Sequence, residues 1–122
     1  MVRLFLADDM PAVREVLRFG LANGMGHVVV GEAANGEDAL AAIPALAPDV
    51  AILDVDMPGL NGVEVARRLR LQGDTTPIIL CSSGESGQQG DLPPGVVDRL
   101  QKPFALERLA AAVDQAVAVR AL

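Results

Sequence analysis

The sequence predicts an α/β domain: a doubly wound, five-stranded parallel sheet with strand order 2-1-3-4-5 and helices on both faces. Three observations lead there. Short apolar runs alternate with stretches of helical spacing along the whole chain, which is the pattern of βα units that assemble a parallel sheet. The central run Val50-Ala51-Ile52-Leu53 has no polar alternation, as expected of a strand covered on both faces. The length, 122 residues, suits one domain with one continuous core. At this length, right-handed crossovers favour the flavodoxin-like order.

Each element has its own signal. Leu4-Phe5-Leu6-Ala7 reads as the first strand. Pro11 lies near the start of the first helix, where its missing N–H costs nothing, and Val13, Val16, Leu17 and Leu21 follow at helical spacing. Val28-Val29-Val30 is the second strand. Asn35, with Asp38 three residues on, caps a second helix through about Leu46, which Pro44 should kink or shorten. Val50 to Leu53 is the third strand. Asn61-Gly62-Val63-Glu64 resembles a capping box opening a helix to about Leu71. Pro77 to Cys81 is the fourth strand, and the more polar run from Val96 to Leu100 suits a sheet edge. A last helix places Leu106, Leu109, Ala110, Val113, Ala116 and Val117 on one face. Between strands four and five the alternation requires one more helix. There Gly84, Gly87, Gly90, Pro93, Pro94 and Gly95 intervene. At about 1 kcal/mol per glycine, this fourth helix is expected to be short, mobile or irregular.

The charge balance, 10 basic against 16 acidic side chains, gives a net charge of -6. Most of such a surface repels nucleic acid and anionic membrane. The single cysteine, Cys81, cannot form an internal disulfide, which fits a reducing compartment. With no leader-like pattern and no apolar run near membrane-spanning length, the expectation is a soluble, cytoplasmic protein.

The chemistry follows from the topology. Strands one and three are neighbours at the switch point of this sheet, and ligands bind there at the carboxyl ends of strands. The residues at those ends are Asp8, Asp9 and Asp54. Two carboxylates about 4 Å apart repel by roughly 4 kcal/mol at an effective dielectric near 20, so they must protonate, separate or hold a cation. Oxygen donors without histidine or thiol favour a hard ion, Mg²⁺ or Mn²⁺. Ser82 ends strand four with a hydroxyl, and Lys102 follows strand five with a positive charge. A metal site, a carboxylate nucleophile, a hydroxyl and a lysine together describe phosphoryl transfer onto Asp54. Asp49 and Asp98, at the start and middle of strands, read as structural. His27 reads as a surface residue and Cys81 as core packing.

These residues resemble the receiver domain of two-component response regulators, and the match runs over residues 1–122 as a single receiver domain. Leu4 to Asp9 resembles the family's first strand and acidic pair. Ala51-Ile52-Leu53-Asp54-Val55-Asp56-Met57-Pro58-Gly59-Leu60-Asn61-Gly62 resembles the segment around the phosphorylated aspartate. Pro77 to Ser82 resembles the fourth strand with its switch hydroxyl, and Lys102-Pro103-Phe104 the signature after strand five. The resemblance implies that Asp54 is the phosphoacceptor and that Asp9 and Asp54 bind the metal through side chains. It further implies a water-mediated role for Asp8, a backbone carbonyl from Asp56, and contacts of Ser82 and Lys102 with the phosphoryl group. A cis Lys102–Pro103 bond is also implied. The donor would be a phosphohistidine on a sensor histidine kinase or histidine phosphotransfer protein. The chain would be a signalling switch rather than an enzyme, assisting its own phosphorylation and dephosphorylation. Its output would go to a downstream domain or protein, without direct binding of nucleic acid or membrane by this domain; a homodimer is compatible with the resemblance.

Two positions depart from the family pattern. Arg99 stands where members usually carry an aromatic residue, and the chain has no Tyr or Trp at all. Arg99 is expected to face solvent beside Asp98 or Glu107. The glycine-rich segment stands in place of a firm fourth helix; two readings of residues 83–95 stand side by side, a two-state element that orders on phosphorylation and a loose surface loop. Asp56 and Gly84 border the expected path of hydrolytic water, with Gly84 leaving it open. One enzyme reading competes: Asp54-Val55-Asp56 resembles the Asp-x-Asp nucleophile motif of haloacid-dehalogenase-type phosphatases. In that family the extra acidic pair comes last in sequence, whereas here Asp8-Asp9 comes first. A flavin-binding module of the same fold is disfavoured, because a phosphate tail would meet three carboxylates.

Overall fold

The computed structural model describes residues 1–23, 26–83 and 92–121. Five strands, β1 (Val2–Ala7), β2 (His27–Ala33), β3 (Val50–Asp54), β4 (Ile78–Ser83) and β5 (Val96–Lys102), form one sheet in the order β2-β1-β3-β4-β5. All neighbouring pairs are parallel. The four described helices are α1 (Pro11–Ala22), α2 (Gly36–Leu46), α3 (Gly62–Leu71) and α4 (Leu106–Ala121). The expected fold class is therefore the observed one. The glycine-rich fourth crossover falls largely on residues 84–91, outside the described residues, and so does the expectation for Gly84.

Strand alternation divides the core in two. Phe5, Ala7, Ala51, Leu53, Ile78 and Leu80 face α2 and α3, where Ile43, Val65 and Leu69 complete one cluster. Leu4, Leu6, Val50, Ile52, Ile79 and Leu100 face α1 and α4, meeting Leu21, Leu109 and Val113. This period of two matters for the site: Asp8, Asp54 and Lys102 come two residues after Leu6, Ile52 and Leu100, and so belong to the α1/α4 side.

Most elements extend past the apolar runs that announce them. β2 continues to Ala33 because parallel pairing with β1 holds through Ala7↔Ala33, with a register shift between Leu4 and Phe5 that accommodates Val30. Asn35 and Asn61 cap α2 and α3 as expected, accepting from the backbone N–H groups of Asp38 and Glu64 at 2.8 and 2.9 Å. The Glu64 carboxylate turns to Arg67 and Arg68 instead of completing a capping box. Pro44 does not shorten α2, which runs to Leu46 and ends at Ala47 in the left-handed region. So close to the C-terminus, the proline removes only one intrahelical donor.

One helix face is rotated from expectation and the other holds. On α1, Leu17 and Leu21 turn inward, and Gly20 packs closely on Leu106, leaving Val16 and Phe19 exposed. On α4, Leu106, Leu109, Val113, Ala116 and Val117 pack into the core as expected; Ala112 joins them, while Ala110 is only half-buried.

Candidate functional site

The carboxyl ends of β1 and β3 bring together the residues that their sequence positions suggested. Carboxylate oxygens of Asp8, Asp9 and Asp54 lie within 4.8 Å of one another, with Asp8 and Asp54 buried and Asp9 exposed. Asp54 is the last residue of β3, opposite Cys81 of β4. Its Oδ1 accepts the backbone N–H of Asp56 at 3.1 Å. Gly62 opens α3 directly against this strand end: a Cβ there would stand 2.5 Å from the Asp54 carbonyl oxygen. Only glycine lets the helix approach the acceptor strand so closely.

Lys102 stands between the two buried acids. Its Nζ is 2.9 Å from Asp8 Oδ2 and 3.2 Å from Asp54 Oδ2. Burial drives the Asp54 carboxyl above its ordinary value; the Asp56 N–H and the lysine charge pull the other way without prevailing. For Lys102, burial is the largest influence and acts downward, but the hydrogen bond to Asp8 and the Asp54 and Asp8 charges together push it up. One ammonium thus balances three crowded carboxylates only in part. A hard divalent cation fits this donor set, with Asp8, Asp9 and Asp54 as the available side chains.

The surroundings fix the acids. Asp8 Oδ1 accepts the Met10 N–H at 2.9 Å, and the Asp8 carbonyl accepts from Arg14 at 2.5 Å. Arg14 in turn pairs with Glu32 on β2 at 3.2 Å. A cavity of about 10 Å³, roughly one water in size, is lined by Asp8, Asp54, Cys81, Lys102 and Phe104, among others. The loop after Asp54 turns at Gly59, whose φ of 73° suits glycine, and the Glu37 carboxylate accepts the Leu60 N–H at 3.0 Å. That bond holds the Glu37 carboxyl below its usual value.

Ser82 is buried at the end of β4, and the Lys102–Pro103 bond is cis. Asp56 is exposed and stands outside the three-carboxylate group; its Oδ2 accepts from the Ser83 hydroxyl at 3.2 Å. Arg99 is not solvent-facing as expected: it is half-buried in β5, and its backbone N–H donates to Asp98 Oδ1 at 2.8 Å. The other Asp98 oxygen pairs with Arg108 at 2.8 Å, because α4 passes beside the strand. Asp49 accepts the Arg3 N–H at 2.8 Å, in keeping with a structural role. Cys81 is core, and burial lifts its thiol to about 12. Sequence reasoning missed the Lys102–Asp8 pair, the Ser83–Asp56 bond and the Glu37 brace. All three join distant elements through side-chain conformation, for which composition and spacing carry no signal.

The sequence matches the response regulator receiver domain model over residues 4–114. It is 44% identical over 113 residues to the response regulator MprA of Mycolicibacterium vanbaalenii, covering 90% of this chain and 48% of that protein. MprA of Mycobacterium tuberculosis gives the same identity and coverage. The chain thus spans about half the length of the curated relatives it matches. Among solved structures it is similar to the signal receiver domain of the response regulator NarL from Mycobacterium tuberculosis, with a TM-score of 0.82, 34% identity, and coverage of 94% of this chain and 95% of that one. The response regulator domain of Thermotoga maritima CheB superposes with a TM-score of 0.84 at 27% identity, covering 97% of each chain. These relatives are response regulators, and the phosphatase alternative is set aside. The topology, the acidic group at its switch point and the match over nearly the whole chain lead to one conclusion: the chain belongs to the response regulator receiver domain family.

Proposed function

We propose that this domain takes a phosphoryl group onto Asp54 from a phosphohistidine of a sensor histidine kinase or phosphotransfer protein, with Mg²⁺ (or Mn²⁺) held by Asp8, Asp9, Asp54 and the Asp56 backbone carbonyl. The observation that carries this reading is the Asp8/Asp9/Asp54 group with Lys102 against two of its members. In the step itself an Asp54 oxygen attacks phosphorus, the P–N bond breaks, and its electron pair returns to the imidazole nitrogen. The bound cation would offset negative charge on the phosphoryl oxygens. Lys102, already against Asp54 Oδ2, supplies a second positive charge, and the Ser82 hydroxyl is a donor for a phosphoryl oxygen. The Asp56 N–H on Asp54 Oδ1 fixes the carboxylate, leaving Oδ2 as the oxygen that Lys102 guards. Asp54 is then the phosphoacceptor of a signalling switch that assists its own phosphorylation and dephosphorylation.

The surface beside the crevice suits a protein donor. Val16 and Phe19 on α1 and the preceding Met10 are exposed, and a cleft of about 430 Å³ runs between Val13, Leu17, Ser83, Lys102, Pro103 and Phe104. An apolar surface next to a charged acceptor allows docking by contact area while the chemistry stays local.

The test is labelling by a small acyl phosphate with Mg²⁺, read by intact-mass spectrometry. One phosphoryl group is expected on the parent and none on Asp54→Asn; equal labelling of both would overturn the assignment. Lys102→Ala should slow labelling without moving it to another residue.

A further inference from the structure

Asp56 occupies an unusual position relative to the acceptor. Its backbone N–H is bound to Asp54 Oδ1 at 3.1 Å, so the residue borders the crevice, yet its carboxylate stands outside the Asp8/Asp9/Asp54 group. The side-chain hydroxyl of Ser83, at the end of β4, donates to Asp56 Oδ2 at 3.2 Å. β4 lies directly beside β3, with Asp54 opposite Cys81, so this bond connects the loop after the acceptor to the neighbouring strand end.

A fourth carboxylate on a short side chain, two residues from Asp54, has two places to go. Free, it is drawn towards any divalent cation in the crevice, where it competes for the space and charge that an incoming phosphoryl group needs. Held by Ser83, it stays aside. We propose that Ser83 is a positioning residue that keeps the Asp56 carboxylate out of the acidic group and so leaves the mouth of the site clear for phosphoryl transfer. This rests on the phosphoacceptor reading above.

The proposal predicts opposite signs for two measurements on the same variant. Ser83→Ala releases Asp56. Mg²⁺ should then bind the unphosphorylated protein about two- to fivefold more tightly by calorimetry, and labelling by a small acyl phosphate at saturating Mg²⁺ should slow about two- to fivefold, the range expected for one exposed bond to a charged group. Ser83→Thr, which keeps the hydroxyl, should behave like the parent. In an Asp56→Asn background, Ser83→Ala should change neither quantity. General damage to the site would instead weaken metal binding and labelling together. Equal effects of Ser83→Ala with and without the Asp56 carboxylate, or no effect in the parent, would overturn the proposal. Absence of label on Asp54 in the parent would sink the phosphoacceptor reading itself, so the two failures are distinguishable.

Discussion

At the amino end of the sheet, Arg3 donates to the Ala47 and Leu46 carbonyls at 2.7 and 2.9 Å, Arg70 to the carbonyls of Asp74 and Thr76, and Arg120 to the Pro48 carbonyl at 2.8 Å. At the carboxyl end, Asp8 and Asp54 share one lysine, and Asp9 crowds against both. The first arrangement gives positive charges several fixed acceptors and ties loops to the sheet. The second leaves negative charge undercompensated. A guanidinium on backbone carbonyls contributes to stability, whereas a carboxylate buried beside other carboxylates detracts from it and persists where binding or chemistry uses it. Charge alone does not mark the functional end of this sheet; incomplete neutralisation does.

That contrast can be broken at either end. The largest effect is expected from Arg70→Ala, which leaves two carbonyls without their donor. It should cost about 2–4 kcal/mol in denaturant unfolding, while Mg²⁺ affinity measured under native conditions stays at the parent value. A stability loss with an equal loss of metal binding would mean the two ends are not independent.

Asp54→Asn should act in the opposite direction. Burial raises the folded carboxyl above its unfolded value, so the folded state holds that proton more tightly than the unfolded chain. Ionised Asp54 therefore opposes folding at neutral pH, and this opposition fades as pH falls through the carboxylate range. The variant should melt about 2–6 °C higher at neutral pH by scanning calorimetry, with the gain disappearing in acid.

Lys102→Met removes the cation that competes with a metal for Asp8 and Asp54. Mg²⁺ should bind about three- to tenfold more tightly, and excess Mg²⁺ should stabilise this variant more than the parent by mass action. In the parent, Lys102 is raised in the folded state. Its stabilising contribution is thus present below the ordinary lysine range and lost as pH climbs through the folded value. An alkaline loss of stability present in the parent and missing from Lys102→Met is the check. The smallest effect belongs to Arg120→Ala, in the exposed last turn of α4: about 0.5–1 kcal/mol, again without a change in metal affinity.

The sheet was legible because its signals are local. Val50 to Leu53 reads as a doubly covered strand from composition alone, and Asn35 and Asn61 announce their helices by one side-chain bond each. The acidic site was legible one step later, since strand order converts Asp8, Asp9 and Asp54 from scattered residues into neighbours. The face that α1 buries was harder to read. Val16 fits the apolar spacing as well as Leu17 does, and what turns it outward is the close packing of Gly20 on Leu106, a contact between distant segments. Arg99 shows the same limit. Its backbone N–H does donate to the neighbouring Asp98, but the half-burial of its side chain and the reach of Arg108 from α4 to the same carboxylate depend on packing between distant segments.

Cys81 lies in the middle strands opposite the acceptor, buried, with its thiol lifted to about 12. A thiol held protonated and out of water is nearly inert to alkylating reagents until the sheet opens. The chain has no other cysteine, and with neither tryptophan nor tyrosine it lacks the usual fluorescent reporters. The rate at which iodoacetamide consumes this one sulfur then measures how often the centre of the sheet is laid open. Because Cys81 and Asp54 are paired across β3 and β4, that rate is a clock set beside the phosphorylation site, readable without any added label.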